Sequence, residues 1–125
     1  MFDHIGLVVS DLGRGKRFYT AVLEPLGFRL LEDHTQHDGT GWLVFGTGQR
    51  QSPFFVVGAG RPSFWSDGHE PSRSPIHLAL SAPSKEGVDR FHAAGLALGA
   101  RDNGGPGIRR KPFYCAFLID PDGNN

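Results

Sequence analysis

Two of the six histidines in this 125-residue chain stand in matching surroundings: His4 in FDHIGLVVSD (2–11) and His77 in PIHLALSA (75–82). Imidazole is the commonest metal-binding side chain and a proton shuttle near neutral pH. Two imidazoles with one carboxylate form a facial donor set that leaves coordination positions open for a substrate. Taken singly, either histidine also reads as a half-buried, hydrogen-bonded residue with no chemistry to do. The pair means more than either one only if the elements carrying them are equivalent.

Residues 2–10 alternate and are rich in Ile, Leu and Val, which predicts a strand. Side chains alternate across a strand, so Ile5, Leu7 and Val9 share one apolar face while Phe2, His4, Gly6 and Val8 share the other. In 75–82 the apolar face is Ile76, Leu78 and Leu80, opposed by His77, Ala79 and Ser81. Both histidines therefore lie away from the apolar face, each with a small neighbour that leaves room in front of the ring. Ser10 or Asp11 caps a helix marked by Phe18, Tyr19, Val22, Leu23 and Leu26, which Pro25–Gly27 ends. Ser84 caps a second helix marked by Val88, Phe91, His92, Gly95 and Leu98.

The chain matches itself when shifted by 73 positions. His4 falls on His77, Leu7 on Leu80, Asp11 on Ser84, Arg17-Phe18 on Arg90-Phe91 and Ala21 on Ala94; with a one-residue gap, LGFR (26–29) meets LGAR (98–101). The first copy continues in three strand-like runs: FRLLED (28–33), GWLVFG (41–46) and PFFVVG (53–58). The second continues in a short run near GARDN and the apolar run FYCAFLI (113–119). The fold class is α+β, β-α-β-β-β twice, with mixed sheet pairing. We expect one domain over 1–125: a first module at about 1–58, a linker loop at 59–74 and a second module at 75–125. The same shift puts a partner for the fourth strand near 127–130, so the second module reads as lacking its last strand.

Other residues carry weaker signals. RDNGGPGIRRK (101–111) is glycine-rich and basic, and reads as a solvated loop or as a lid whose Arg109 or Arg110 pairs with an anionic substrate. Asn103 adds a polar contact in the second case. Tyr114 is either a hydrogen-bond donor or acid facing a cavity, or a packed ring. Trp42, Phe64 and Trp65 line an apolar pocket or fill the core. His34 and His37 beside Asp38, and His69 with Asp67 and Glu70, read as surface groups, and His92 reads as packing.

Composition excludes several classes. Lys plus Arg (13) equals Asp plus Glu (13), so no global field draws nucleic acid or an anionic membrane. The single cysteine, Cys115, rules out an internal disulfide and a cysteine metal cluster, in keeping with a reducing compartment. The chain enters a strand pattern at once, without a secretory-type leader, and no apolar run approaches the ~18 residues of a membrane span. We therefore expect a cytoplasmic protein. There is no nucleophile elbow, Walker loop or dinucleotide fingerprint.

DHIGLVVSDLGRGKRFYTAVLEPLGF, PIHLAL and AFLIDPDGNN together resemble the vicinal oxygen chelate superfamily, which includes glyoxalase I, extradiol dioxygenases and bleomycin-resistance proteins. The resemblance spans nearly the whole chain. It implies two βαβββ modules forming an open, curved mixed β-sheet cup around a divalent metal ion (Zn, Ni, Fe, Mn or Mg). It also implies His4 and His77 as ligands, with a final-strand carboxylate about two residues after DPDGNN. The glyoxalase I pattern draws a Glu from the fourth strand, where this chain has Phe54, Phe55, Val56 and Val57, so a four-ligand site of that kind is disfavoured. The function implied is chelation of two neighbouring oxygens of a small substrate, in lyase, isomerase or dioxygenase chemistry, with Arg109 and Asn103 binding substrate and Tyr114 catalytic. The alternative is a metal-independent module that sequesters a small molecule. Either form implies a homodimer.

Overall fold

The computed structural model describes residues 2–49, 53–60 and 76–125. The chain divides into two compact units, Met1–Thr20 with Phe28–Pro71 and Ala21–Gly27 with Ser72–Asn125.

The first unit follows the predicted order: β1 (His4–Val8), α1 (Leu12–Leu23, as far as Thr20), β2 (Arg29–Asp33), β3 (Gly41–Gly46) and β4 (Phe54–Ala59). The helix begins where Asp11 accepts a hydrogen bond from the Arg14 amide at 2.8 Å. That same bond is the largest cause holding the Asp11 carboxyl below its usual range, as expected of a cap that satisfies an orphan helix donor. The strands lie in the order β1-β4-β3-β2, with β1 parallel to β4 and the other pairs antiparallel. The register pairs His4 with Phe54 and Leu7 with Val57. Leu43, Phe45 and Val57 are completely buried. Gly15 of α1 faces this core: a Cβ there would lie 3.0 Å from Val9 Cγ2 and 3.6 Å from Val57 Cγ1, so glycine lets the helix approach the sheet. Tyr19 packs on Phe55 with ring centroids 5.2 Å apart. On the predicted apolar face Ile5 and Leu7 are half-buried and Val9 is buried; on the other, Phe2, His4 and Gly6 are exposed but Val8 is buried.

The second unit starts with the end of α1 and the 3-10 turn Glu24–Leu26, closed by Gly27 at φ 86°, a left-handed conformation that costs glycine little. Ser84 caps α2 (Lys85–Ala97), its hydroxyl accepting from the Gly87 amide at 3.1 Å. The helix packs on the hairpin of β5 (Arg101–Arg110) and β6 (Phe113–Ile119), with Gly95 seated against Leu118.

Two expectations need correction in this unit. Segment 101–111, read as a loop or lid, is mostly strand β5; register shifts at Asp102/Gly104, Gly104/Gly107 and Ile108/Arg110 absorb its glycines and proline as bulges. Conversely, 76–82 has the composition of a strand but joins no ladder among the described residues. A strand exists only where a neighbour takes its amides. In the first unit β1 has β4, whereas here the Leu78 amide donates to the Asn125 carbonyl at 2.9 Å without joining a ladder. Of the expected linker, only Ala59 and Gly60 lie within the described residues.

Candidate functional site

His4 stands on β1, on the face opposite α1, with its side chain 59% exposed. Its Nδ1 lies 2.7 Å from Asp3 Oδ1. His77 is also exposed, and its Nδ1 lies 3.0 Å from Asn125 Oδ1. Its ring rests on Phe117 at 5.6 Å. Each repeat-related imidazole therefore has one nitrogen engaged by a side-chain oxygen, and the other has no partner among the described residues. That arrangement fixes the tautomer of a ligating histidine, the remote N–H donating to an oxygen while the free lone pair faces the ion.

Asn125 reaches His77 because of a turn that the sequence encodes compactly. The Asp120 carboxylate, 7% exposed, accepts from the Asp122 amide at 2.9 Å, the Asn124 amide at 2.7 Å and Asn124 Nδ2 at 2.8 Å. Gly123, at φ 94°, closes the turn onto the Asp120 carbonyl. The DPDGNN motif is thus a self-bonded loop that presents Asn125 to His77 and Leu78.

Tyr114, on β6, lies beside a cavity of about 550 Å³ that is also lined by His77, Val88, Phe91 and Cys115. Its hydroxyl donates to Asp89 Oδ1 at 2.6 Å. This bond to a carboxylate pushes the phenol above its ordinary value, so the proton stays on the oxygen at neutral pH. Lys85 Nζ sits 5.5 Å from the ring centroid. Arg109 donates to the Gly105 carbonyl at 2.6 Å, and Asn103 is exposed on β5; neither lines the cavity.

The remaining histidines resolve individually. His34 stacks on Trp42 at 4.6 Å and bonds Glu32 at 2.7 Å. His37 is exposed. His92 is buried and bonds Asp102 Oδ1 at 2.9 Å, tying α2 to β5. His69, Phe64 and Trp65 lie outside the described residues. Among the described residues, no three His, Cys, Asp or Glu side chains gather to hold a metal ion, and no helix is long and apolar enough to cross a membrane. Sequence reasoning missed Asp3, Asp89 and Asn125 as partners of His4, Tyr114 and His77. Only Asn125 had a signal, its place at the end of DPDGNN.

Comparison with known proteins places these features. The family model described as Glyoxalase/Bleomycin resistance protein/Dioxygenase superfamily matches residues 1–125. Among solved structures, the chain is similar to a glyoxalase/bleomycin resistance protein from Albidiferax ferrireducens T118. The two are 31% identical with a TM-score of 0.77, over 99% of this chain and 93% of that one. It is also similar to TnmS3, an antibiotic binding protein from Streptomyces sp. CB03234 (26% identity, TM-score 0.57, coverage 99% and 89%). A third similar fold is that of a mutant fosfomycin resistance protein from Listeria monocytogenes bound to Mn(II) and a dihydroxypropylphosphonic acid (17% identity, TM-score 0.62, coverage 99% and 84%). No curated protein matches the chain.

Proposed function

Because the chain belongs to the glyoxalase/bleomycin resistance protein/dioxygenase superfamily, we propose that it is a metal-assisted enzyme acting on a small substrate with two neighbouring oxygens. His4 and His77 are the proposed donors to a divalent ion. The observation that carries this reading is their common state: repeat-related, exposed, and tethered through Nδ1 to Asp3 and Asn125, with Nε2 unpartnered among the described residues. Imidazole donors suit Zn, Ni, Fe, Mn or Mg in differing degree, the first-row transition ions best. A bound ion supplies Lewis-acid polarisation of the substrate oxygens.

The chain's own residues have defined tasks in this reading. Asp3 and Asn125 orient the imidazoles. Tyr114 holds a proton on its hydroxyl, shared with Asp89, as the candidate acid. Arg109 and Asn103 are proposed to position an anionic or polar substrate. Lyase, isomerase and dioxygenase reactions all suit such a site, and we propose a cytoplasmic homodimer as the working form.

The test is metal stoichiometry after equilibration with zinc or manganese, for the natural protein, His4→Ala and His77→Ala. Bound metal falling to a few per cent of the natural level in both variants is expected. Equal, near-zero metal in all three overturns the reading. A second reading, metal-independent sequestration of a small molecule, gains support from β4, whose Phe54-Phe55-Val56-Val57 offers no oxygen donor. Ligand affinity unchanged by a chelator distinguishes it.

A further inference from the structure

The chain has three asparagines, and their side chains are held differently. Asn124 donates through Nδ2 to Asp120, and Asn125 Oδ1 lies 3.0 Å from His77 Nδ1. Asn103 is exposed on β5, and its side-chain amide reaches no partner among the described residues. It is also the residue that the ladder skips: Asp102 pairs with Leu118 and Gly104 with Phe117, so Asn103 is the extra residue of a bulge. The bulge demands glycine next. Gly104 sits at φ 146°, and a Cβ there would lie 2.9 Å from Phe117 Cδ2. Glycine, with no Cβ, is also the residue that least shields its own amide nitrogen from the side chain before it.

That nitrogen is under a specific constraint. The Gly104 N–H donates to Asp102 Oδ1 at 2.9 Å, and the same oxygen lies 2.9 Å from His92 Nε2. His92 is buried on α2, so the helix fixes the carboxylate against this amide. The His92 bond, followed by that of the Gly104 amide, holds the Asp102 carboxyl below its usual range, which keeps it charged at neutral pH.

We propose that Asn103 is a site of spontaneous deamidation, and that the Asp102 carboxylate restrains the reaction. Hydroxide removes the Gly104 amide proton, and the nitrogen attacks Asn103 Cγ. The Cγ–Nδ2 bond breaks, and ammonia leaves with a proton taken from water, which restores the hydroxide. The new N–Cγ bond closes a succinimide ring, and water opens it at either carbonyl to leave aspartate or isoaspartate. Asp102 opposes the step that needs the amide anion, since a like charge disfavours ionisation beside it. The Arg109 guanidinium lies against Gly104 and acts in the opposite sense, but it donates to the Gly105 carbonyl and makes no bond to the Gly104 nitrogen. The product adds a carboxylate to this bulge, and isoaspartate also adds a methylene to the backbone of β5.

The test is peptide mapping of isoaspartate at 103 in the full chain aged at mildly alkaline pH, with the peptide of residues 101–107 as the unrestrained reference. The natural protein is expected to convert slowly. Asp102→Asn, which keeps an oxygen for Gly104 and His92 but loses the charge, is expected to convert roughly fivefold faster. Added salt should speed the natural protein but not Asp102→Asn, because screening weakens only the charged restraint. Amide exchange at Ile108 and Cys115, on the same hairpin, tells a loosened strand from a lost charge; where the variant exchanges faster, the salt response of the natural protein decides. No conversion at 103 in either protein while the peptide converts fully overturns the site. Equal or slower conversion of Asp102→Asn, or a natural protein indifferent to salt, overturns the restraint.

Discussion

Acidification should weaken the first unit through Asp33. One carboxylate oxygen, Oδ2, takes the Lys16 ammonium at 2.7 Å, joining β2 to α1. The other, Oδ1, accepts from the Thr35 amide at 3.0 Å and from the Thr35 hydroxyl. Led by the Lys16 bond, these partners lower the Asp33 pKa from 3.8 to about 2. A group whose folded pKa is depressed contributes stability above its unfolded pKa and loses it as pH falls through the folded value. The window is therefore pH 3.8 down to about 2. At about 1.4 kcal/mol per pKa unit, the full shift corresponds to roughly 2.4 kcal/mol. Both side chains are partly solvated, 34% exposed for Asp33 and 46% for Lys16, and solvent screening reduces the net effect to about 1 kcal/mol.

Asp33→Asn isolates this term, because an asparagine carbonyl still accepts from Thr35 while its NH₂ faces Lys16. Urea unfolding should show the variant weaker by about 1 kcal/mol at pH 7 and equal to the natural protein near pH 2. Lys16→Gln should raise the Asp33 pKa toward 3.8 in an NMR titration. A deficit of the same size at both pH values would refute the electrostatic account and leave a packing or turn effect in its place.

Three further outcomes follow from single contacts. Ser84→Ala removes the cap of α2 and should cost about 1 kcal/mol by urea unfolding, with Ser84→Asp recovering most of it. Gly95→Ala gains up to about 1 kcal/mol of helix propensity but drives its methyl into buried Leu118, at an overpacking cost of about 1–3 kcal/mol. Net destabilisation is expected, and a Leu118→Val background should relieve part of it; a stabilised single variant would show that Leu118 moves aside freely. Asp89→Asn should bring the Tyr114 pKa down toward 10 in a tyrosinate absorbance titration, because the charge that resists ionisation is gone.

Much of the fold was legible because local signals and tertiary context agree. The Asp11 and Ser84 caps, the apolar spacing of both helices and the runs at 41–46 and 53–58 each specify the element that forms. Segment 101–111 was misread because glycine and proline mark loops, yet β5 carries them as bulges on a strand with a single neighbour. Segment 76–82 failed the opposite way: its composition suits a strand, but strand pairing is a property of two segments, and composition records one. At the candidate site, the residue types of His4, His77 and Tyr114 were visible. Their partners were not, because Asp89 lies 25 positions from Tyr114 and Asn125 lies 48 from His77, separations that no periodicity reports.

The outer strand of the first sheet has a consequence of its own. β2 forms one margin of that sheet, and a bare margin is a template on which other chains polymerise. This one carries Arg29, Glu32 and Asp33 within five residues and breaks its register between Leu30 and Glu32. Charge and irregularity together deny a stranger the flat row of amides it would copy. Substituting Arg29 and Glu32 with threonine, which spares the Asp33–Lys16 pair, would make the protein prone to fibrillar self-association.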